Sequence, residues 1–207
     1  MKITILGTGN VGQALATGWV SAGHKITFGS RQPTGEKAQE LVASFEGKMQ
    51  VQQRTEAIAS AEVVVLAVPW NGVESVAKSV VDWAGKILID ATNPIGPGFS
   101  LAVGKDTSGG ELVQSWATGA RVVKAFNTTG YNNMLDPVYN GASTTMFIAG
   151  DDADAKHTVT QLTETLGFDV ADVGDITKSR FLEPLALAWI SLAMVQGREI
   201  ALKLVRR

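Results

Sequence analysis

Gly7-Thr8-Gly9-Asn10-Val11-Gly12 follows the strand-like run Lys2 to Leu6 directly and opens a helix-like run, Val11 to Ala22. A G-x-G-x-x-G turn between a strand and a helix is the setting in which this spacing carries chemistry. Gly7 allows the tight turn, Gly9 lets the main chain approach a pyrophosphate, and Gly12 lets the helix pack closely on the strand. The free N–H groups and positive dipole end of the helix then face the phosphates. The pattern predicts dinucleotide binding; an ordinary glycine-rich strand–helix turn is the plain alternative.

The next strand predicts which dinucleotide. Lys25 to Phe28 runs into Gly29-Ser30-Arg31-Gln32, and no acid occurs between the glycine turn and Glu36. An NAD site usually places Asp or Glu there to bond the ribose 2′-hydroxyl. Arg31 instead suits a 2′-phosphate, because its planar fork donates two bonds to one phosphate. Ser30 offers a third donor, and Thr34 and Lys37 stand where they can close the pocket. NADP is therefore expected over NAD, although a surface arginine in a β–α loop is compatible with NAD.

Ligands of open α/β sheets bind outside the carboxyl ends of the strands. Three more strand-end segments fall on that edge: Val68-Pro69-Trp70, Ala91-Thr92-Asn93-Pro94 and Asn127-Thr128-Thr129-Gly130. Pro69 ends its strand, since it cannot donate to a ladder. Trp70 either covers the cofactor or packs the start of a helix. Asn93 and Asn127 carry both donors and acceptors, as a nicotinamide carboxamide or a ring carbonyl requires; Asn93-Pro94 is also a routine turn signal. With Thr128 they are the candidates for the acceptor side, and no catalytic residue is assigned with certainty.

Acid–base groups are scarce on this edge. His24 follows Gly23 at a helix end, which places it at the opposite edge, and His157 lies inside a solvated helix. Tyr131 and Lys124 remain, and a structural ion pair is the plainer role for Lys124. A carbonyl reductase positions a proton donor beside the hydride acceptor. Hydride exchange with a flavin-type ring needs mainly stacking geometry, since the ring carries the chemistry. Asp151, Asp152 and Asp154 lack the rest of a calcium loop and read as helix capping, so no metal is expected.

The elements that position these residues are short β-branched runs alternating with helix-length segments. That order predicts an α/β fold of Rossmann type: a doubly wound, mostly parallel sheet with helices on both faces. Glu62 to Val68 is apolar enough for a central strand buried on both faces. Helices are expected at Glu36–Phe45, Val73–Trp83 and Glu111–Ala117, with a Gly/Pro-rich connection from Asn93 to Gly110 and a long final helix over about 178–206. The 207 residues are read as one domain, with 45% hydrophobic and 18% charged residues and a net charge of −2. Nothing in that charge supports a nucleic-acid or membrane-surface partner. The absence of cysteine rules out thiolate chemistry and fits a cytoplasmic protein; no signal peptide or membrane span is expected. The last helix is apolar around most of its circumference from Leu185 to Val195. Such a helix is covered on more than one side, either by a second subunit, giving a homodimer, or by folding over the acceptor pocket.

The run Ile5 to Gly12, with Gly23-His24, Phe28-Gly29-Ser30-Arg31, Val68-Pro69-Trp70 and Gly150-Asp151-Asp152, resembles the NADPH-dependent reductases of the deazaflavin coenzyme F420. Val123-Lys124-Ala125-Phe126-Asn127-Thr128 is more similar to the oxidoreductase domain of the STEAP metalloreductases, which pass hydride from NADPH to a flavin. The resemblance covers nearly the whole chain. It implies that Thr8, Asn10 and Val11 line the pyrophosphate loop, that Ser30 and Arg31 hold the 2′-phosphate, and that Pro69 and Trp70 lie beside the cofactor. The expected activity is hydride transfer between NADP(H) and F420, FMN or FAD. A small carbonyl or imine reductase, and an NADP-binding sensor or partner protein without turnover, are the alternatives.

Overall fold

The computed structural model describes residues 1–207, and its β-branched runs form one eight-stranded sheet. The strands are β1 (Lys2–Leu6), β2 (Lys25–Ser30), β3 (Gln50–Gln53), β4 (Val63–Leu66), β5 (Ile87–Asp90), β6 (Arg121–Lys124), β9 (Thr145–Gly150) and β10 (Asp169–Asp172); β7 (Val138–Tyr139) and β8 (Ala142–Ser143) make a separate small hairpin. Their order is β10-β9-β6-β5-β4-β1-β2-β3. Every neighbouring pair is parallel except β6 with β9. The order of strands reverses between β1 and β4, so the switch point falls beside the glycine turn, where such sheets bind ligands.

Alternation along the strands assigns side chains to the two helix layers. Ile3, Ile5, Val63, Val65, Ile87 and Ile89 face one core with helix α1 (Asn10–Ser21) and helix α7 (Ala153–Glu164). Leu6, Val64, Leu66 and Leu88 face the other, with helices α3 (Arg54–Ser60), α4 (Trp70–Ala77) and α5 (Gly109–Trp116). Ile5 lies opposite Val65, and Val65 opposite Ile89. Full burial of each such side chain contributes about 1.5–3 kcal/mol. A one-residue slip would move every one of them to the wrong face, so burial fixes the register. Two indoles lock the layers with their polar ends satisfied: Trp19 Nε1 donates to the Leu162 carbonyl at 2.9 Å and Trp83 Nε1 to the Ala77 carbonyl at 3.0 Å.

The expected fold stands, with local corrections. Helix α2 (Glu36–Ser44) falls where expected, whereas α4 starts at Trp70 and ends at Ala77, because Pro69 serves as its N-cap residue. The short helices α3 and α6 (Tyr131–Leu135) and the β7–β8 hairpin are too brief to show a period. The last helix, α8 (Ser179–Gln196), does not run to residue 206. Gly197, at φ 86°, turns the chain, and residues 198–204 run back along the carboxyl-end edge of the sheet. The Leu202 carbonyl accepts from Thr145 N at 2.9 Å, and Leu204 N donates to Thr145 Oγ1 at 3.0 Å.

Candidate functional site

The glycine turn places its three glycines in different surroundings. Gly7 sits at φ 132°, where a Cβ would collide with the Ala67 carbonyl; a Cβ on Gly12 would collide with the Gly7 carbonyl and stand 3.1 Å from Ile5 Cγ2. Both are required by the fold itself. Gly9 is different: a Cβ there meets no protein atom within 4 Å, and its φ of −77° is ordinary. No side chain caps α1, and Gly9, Asn10 and Val11 at its start border open space. The residues present therefore fit a phosphate-bearing dinucleotide.

That space is a cleft of about 790 Å³. Of the residues expected in the site, Gly7, Thr8, Gly9, Asn10, Val11, Val68, Pro69, Trp70 and Asn93 all line it; Gly12 is buried beneath the turn. Trp70 is the first residue of α4. It borders the cleft, and its ring stacks on Trp116 with centroids 5.8 Å apart.

Ser30 and Arg31 stand at the end of β2, one strand further out. Ser30 Oγ accepts from Gln32 N at 3.0 Å, which leaves its hydroxyl proton free. Thr34 and Lys37 are exposed on the following loop and first turn of α2. The second cation of this corner is Arg54, the first residue of α3. Burial and then the neighbouring Arg31 charge hold its guanidinium below the ordinary arginine value. Neither arginine pairs with a carboxylate. The two stand as a repelling pair suited to a dianion. Arg54 could be found in the sequence only by reading Arg54-Thr55-Glu56 as a helix start.

Of Asn93, Asn127 and Thr128, only Asn93 lines the cleft. Its Nδ2 donates to the Asn127 carbonyl at 2.8 Å, and Asn127 Nδ2 donates back to Asn93 Oδ1 at 3.1 Å. Asn127 and Thr128 are 4% and 2% exposed and do not line the cleft, which corrects their expected place at its surface. Asn127 instead locks the Asn93 amide from behind. Phe126, just before it, is held at φ 65°, a left-handed turn that costs about 1–3 kcal/mol for a bulky residue. Burial against Trp19, with ring centroids 5.8 Å apart, sustains it.

Lys124 lies beneath this layer as a wholly buried ion triad. Its Nζ is 2.9 Å from both Asp90 Oδ2 and Glu183 Oε1. Burial works against the ammonium, but the two carboxylates outweigh it and hold the lysine above its ordinary value. Glu183 also accepts from the Gly109 and Gly110 N–H groups at the start of α5. Lys124 is therefore structural, and Tyr131 is the remaining proton donor on the cleft. His24 contacts the N-terminal amine at 3.3 Å on the opposite edge. Asp151 and Asp152 cap the Ile176 and Ala155 N–H groups, at 3.0 and 2.7 Å.

A cleft residue that the sequence reading missed is Arg198. Its guanidinium lies over the Tyr131 ring, 5.0 Å from the centroid, and over Trp189 at 5.9 Å. The signal was Gly197, a helix-stopping glycine, within what was read as continuous helix.

A sheet that reverses beside an open glycine cradle defines a dinucleotide-binding domain of the Rossmann class. Residues 2–94 match the family model described as NADP oxidoreductase, coenzyme F420-dependent. The F420-dependent NADP reductase of Methanothermobacter marburgensis is 31% identical, over 93% of this chain and 92% of that protein. The chain belongs to this family and is an NADP-dependent oxidoreductase. The metalloreductase STEAP3 of Rattus norvegicus is also 31% identical, over 90% of the chain, which spans 36% of that protein. Among solved structures, a putative F420-dependent NADP reductase from Arthrobacter superposes with a TM-score of 0.89 at 33% identity, covering all of both chains. An imine reductase from Aspergillus terreus, at 21% identity, TM-score 0.67 and 92% and 60% coverage of the two chains, shares the fold.

Proposed function

We propose that this protein transfers a hydride between NADP(H) and a flavin or deazaflavin acceptor of the F420 type. The observation that carries the reading is the chemistry of the cleft wall: an amide locked by a second amide, apolar surface, one phenol and the Arg198 guanidinium, with no histidine or carboxylate. Such a wall orients rings; it offers little for protonating a carbonyl. The cofactor, when bound, supplies the hydride from its nicotinamide ring. The chain's residues do the rest. The open N–H groups beside Gly9 bind the pyrophosphate, and Ser30, Arg31 and Arg54 hold the 2′-phosphate, with Thr34 and Lys37 at the pocket's edge. Asn93, fixed by Asn127, orients the nicotinamide carboxamide, and Pro69 and Trp70 exclude water from one flank. Holding two rings at reactive distance can by itself supply several kcal/mol of the barrier (about 7–11 in favourable systems). A cytoplasmic location belongs to the same proposal and is supported by the cysteine-free sequence.

The test is NADPH oxidation by the purified protein with F420, FMN, FAD, quinones, ketones and cyclic imines. Turnover with a flavin or deazaflavin is expected. Turnover confined to ketones or imines would assign proton donation to Tyr131 and overturn the reading. NADPH binding with no turnover on any acceptor would favour a sensor.

A further inference from the structure

The tail that follows α8 is fastened at Arg198 and just beyond it. Asn132 Nδ2 donates to the Arg198 carbonyl at 2.9 Å. The Ile200 carbonyl accepts from Trp189 Nε1 at 3.1 Å and from Asn133 Nδ2 at 2.8 Å. Further on, Lys203 Nζ reaches the Ser143 carbonyl at 2.6 Å. Main chain held this tightly fixes where the Arg198 side chain begins, and two aromatic faces fix where it ends. A guanidinium stacked on rings keeps its in-plane N–H donors free. No carboxylate consumes them, for Arg198 is in none of the molecule's ion pairs.

Arg198 also stands at a junction. It lines the dinucleotide cleft beside Asn93 and Ile95, and it lines a second groove of about 520 Å³ formed with Phe99, Ile190, Ala193 and Met194. That groove is apolar apart from Arg198. A pre-stacked, unpaired cation between a cofactor cleft and an apolar groove suits a ligand with a flat apolar body and an acidic substituent.

We propose that Arg198 is the anion-recognising residue of the acceptor site, selecting hydride acceptors that carry a phosphate or carboxylate. The inference rests on the acceptor reading above. It deepens that reading by adding a charge requirement to the ring requirement. The same guanidinium chemistry would also serve the pyrophosphate of the dinucleotide, so the test separates the two sources.

FMN and riboflavin share one ring and differ by a phosphate. Their binding to NADP⁺-loaded protein is read by flavin fluorescence anisotropy, which needs no turnover. Wild-type protein is expected to bind FMN about tenfold or more tightly than riboflavin, the scale of a charge-assisted hydrogen bond. Arg198→Gln should bring the ratio to about one, and Arg198→Lys should retain part of it, since the point charge survives without the fork. NADP⁺ affinity should change less than about twofold in both variants. Equal wild-type affinity for the two flavins, or no binding of FMN, overturns the proposal. So does a loss of NADP⁺ affinity in Arg198→Gln that matches its loss of FMN affinity, which would give the guanidinium to the pyrophosphate. An Arg198-dependent preference for FMN, with no NADPH oxidation by any flavin or by F420, would sink the hydride-transfer reading and leave this one standing.

Discussion

Gly9 separates the demands of the fold from the demands of a ligand. Gly7 and Gly12 have protein where a Cβ would stand, and Gly9 has none. Gly9→Val should therefore fold, with a cost near about 1 kcal/mol for a poor residue at an N-cap position, and should lose cofactor binding. Calorimetric titration with NADPH checks this, and wild-type affinity in the folded variant would contradict a pyrophosphate at the turn. The arginine corner gives a second single-residue prediction. Arg31→Ala should weaken NADPH binding by about 1.5–3 kcal/mol, the range for hydrogen bonds to a charged group, and leave NADH nearly unaffected. Arg54→Ala should show the same discrimination, because the two guanidiniums share one corner. Equal loss for both cofactors would remove the 2′-phosphate from this corner. Arg31 was legible because it replaces an expected acid at a known spacing. Arg54 was not, because it becomes a neighbour of Arg31 only through the pairing of β2 with β3.

At the scale of elements, the buried triad ties β5, β6 and α8 together directly under Asn93 and Asn127. Thr92, which precedes Asn93, gives both its N–H and its hydroxyl to Asp90 Oδ1, at 2.9 and 2.7 Å. Removing the cation leaves two buried carboxylates with no counter-charge, so Lys124→Met should destabilise by about 3–5 kcal/mol in urea unfolding. A loss well under 1 kcal/mol would mean that the triad contributes little. The pH dependence has a defined sign. Because the folded-state value of Lys124 is raised above the ordinary 10.5, its contribution is full at neutral pH. It is lost only as pH climbs through the raised value. The strands were legible because they are short, β-branched and bounded by turn residues. The triad was legible only as a lysine near an expected strand end, since its partners lie 34 and 59 residues away in sequence. The tail was misread for a plain physical reason. Ala201, Leu202 and Leu204 continue an apolar helical pattern, and one glycine outweighs it once the tail carbonyls find donors on α6 and β9.

Across the whole molecule, the exposed surface of α8 is the feature that a single chain leaves uncovered. Its inner face, Leu182, Ala186 and Trp189, is buried within the chain, so Trp189 does not belong to an interface. A different stripe does face outward: Phe181, Leu185, Ala188, Leu192 and Val195, spaced by four, three, four and three residues. Phe181, Leu192 and Val195 are 68%, 45% and 85% exposed. That spacing is the seam of a coiled coil, and a seam on one helix is self-complementary about a two-fold axis. We propose a homodimer in which α8 pairs with α8 of a second copy, leaving Ile190 and Met194 to the groove beside Arg198. Leu192→Glu combined with Val195→Glu should give a folded monomer, because both sites are exposed within one chain and an unpaired charge is costly only when an interface buries it. Light scattering reads the outcome. An unmodified protein that is monomeric at about 10 μM, well above the dissociation constants of stable dimers, would assign the stripe to something other than a second copy.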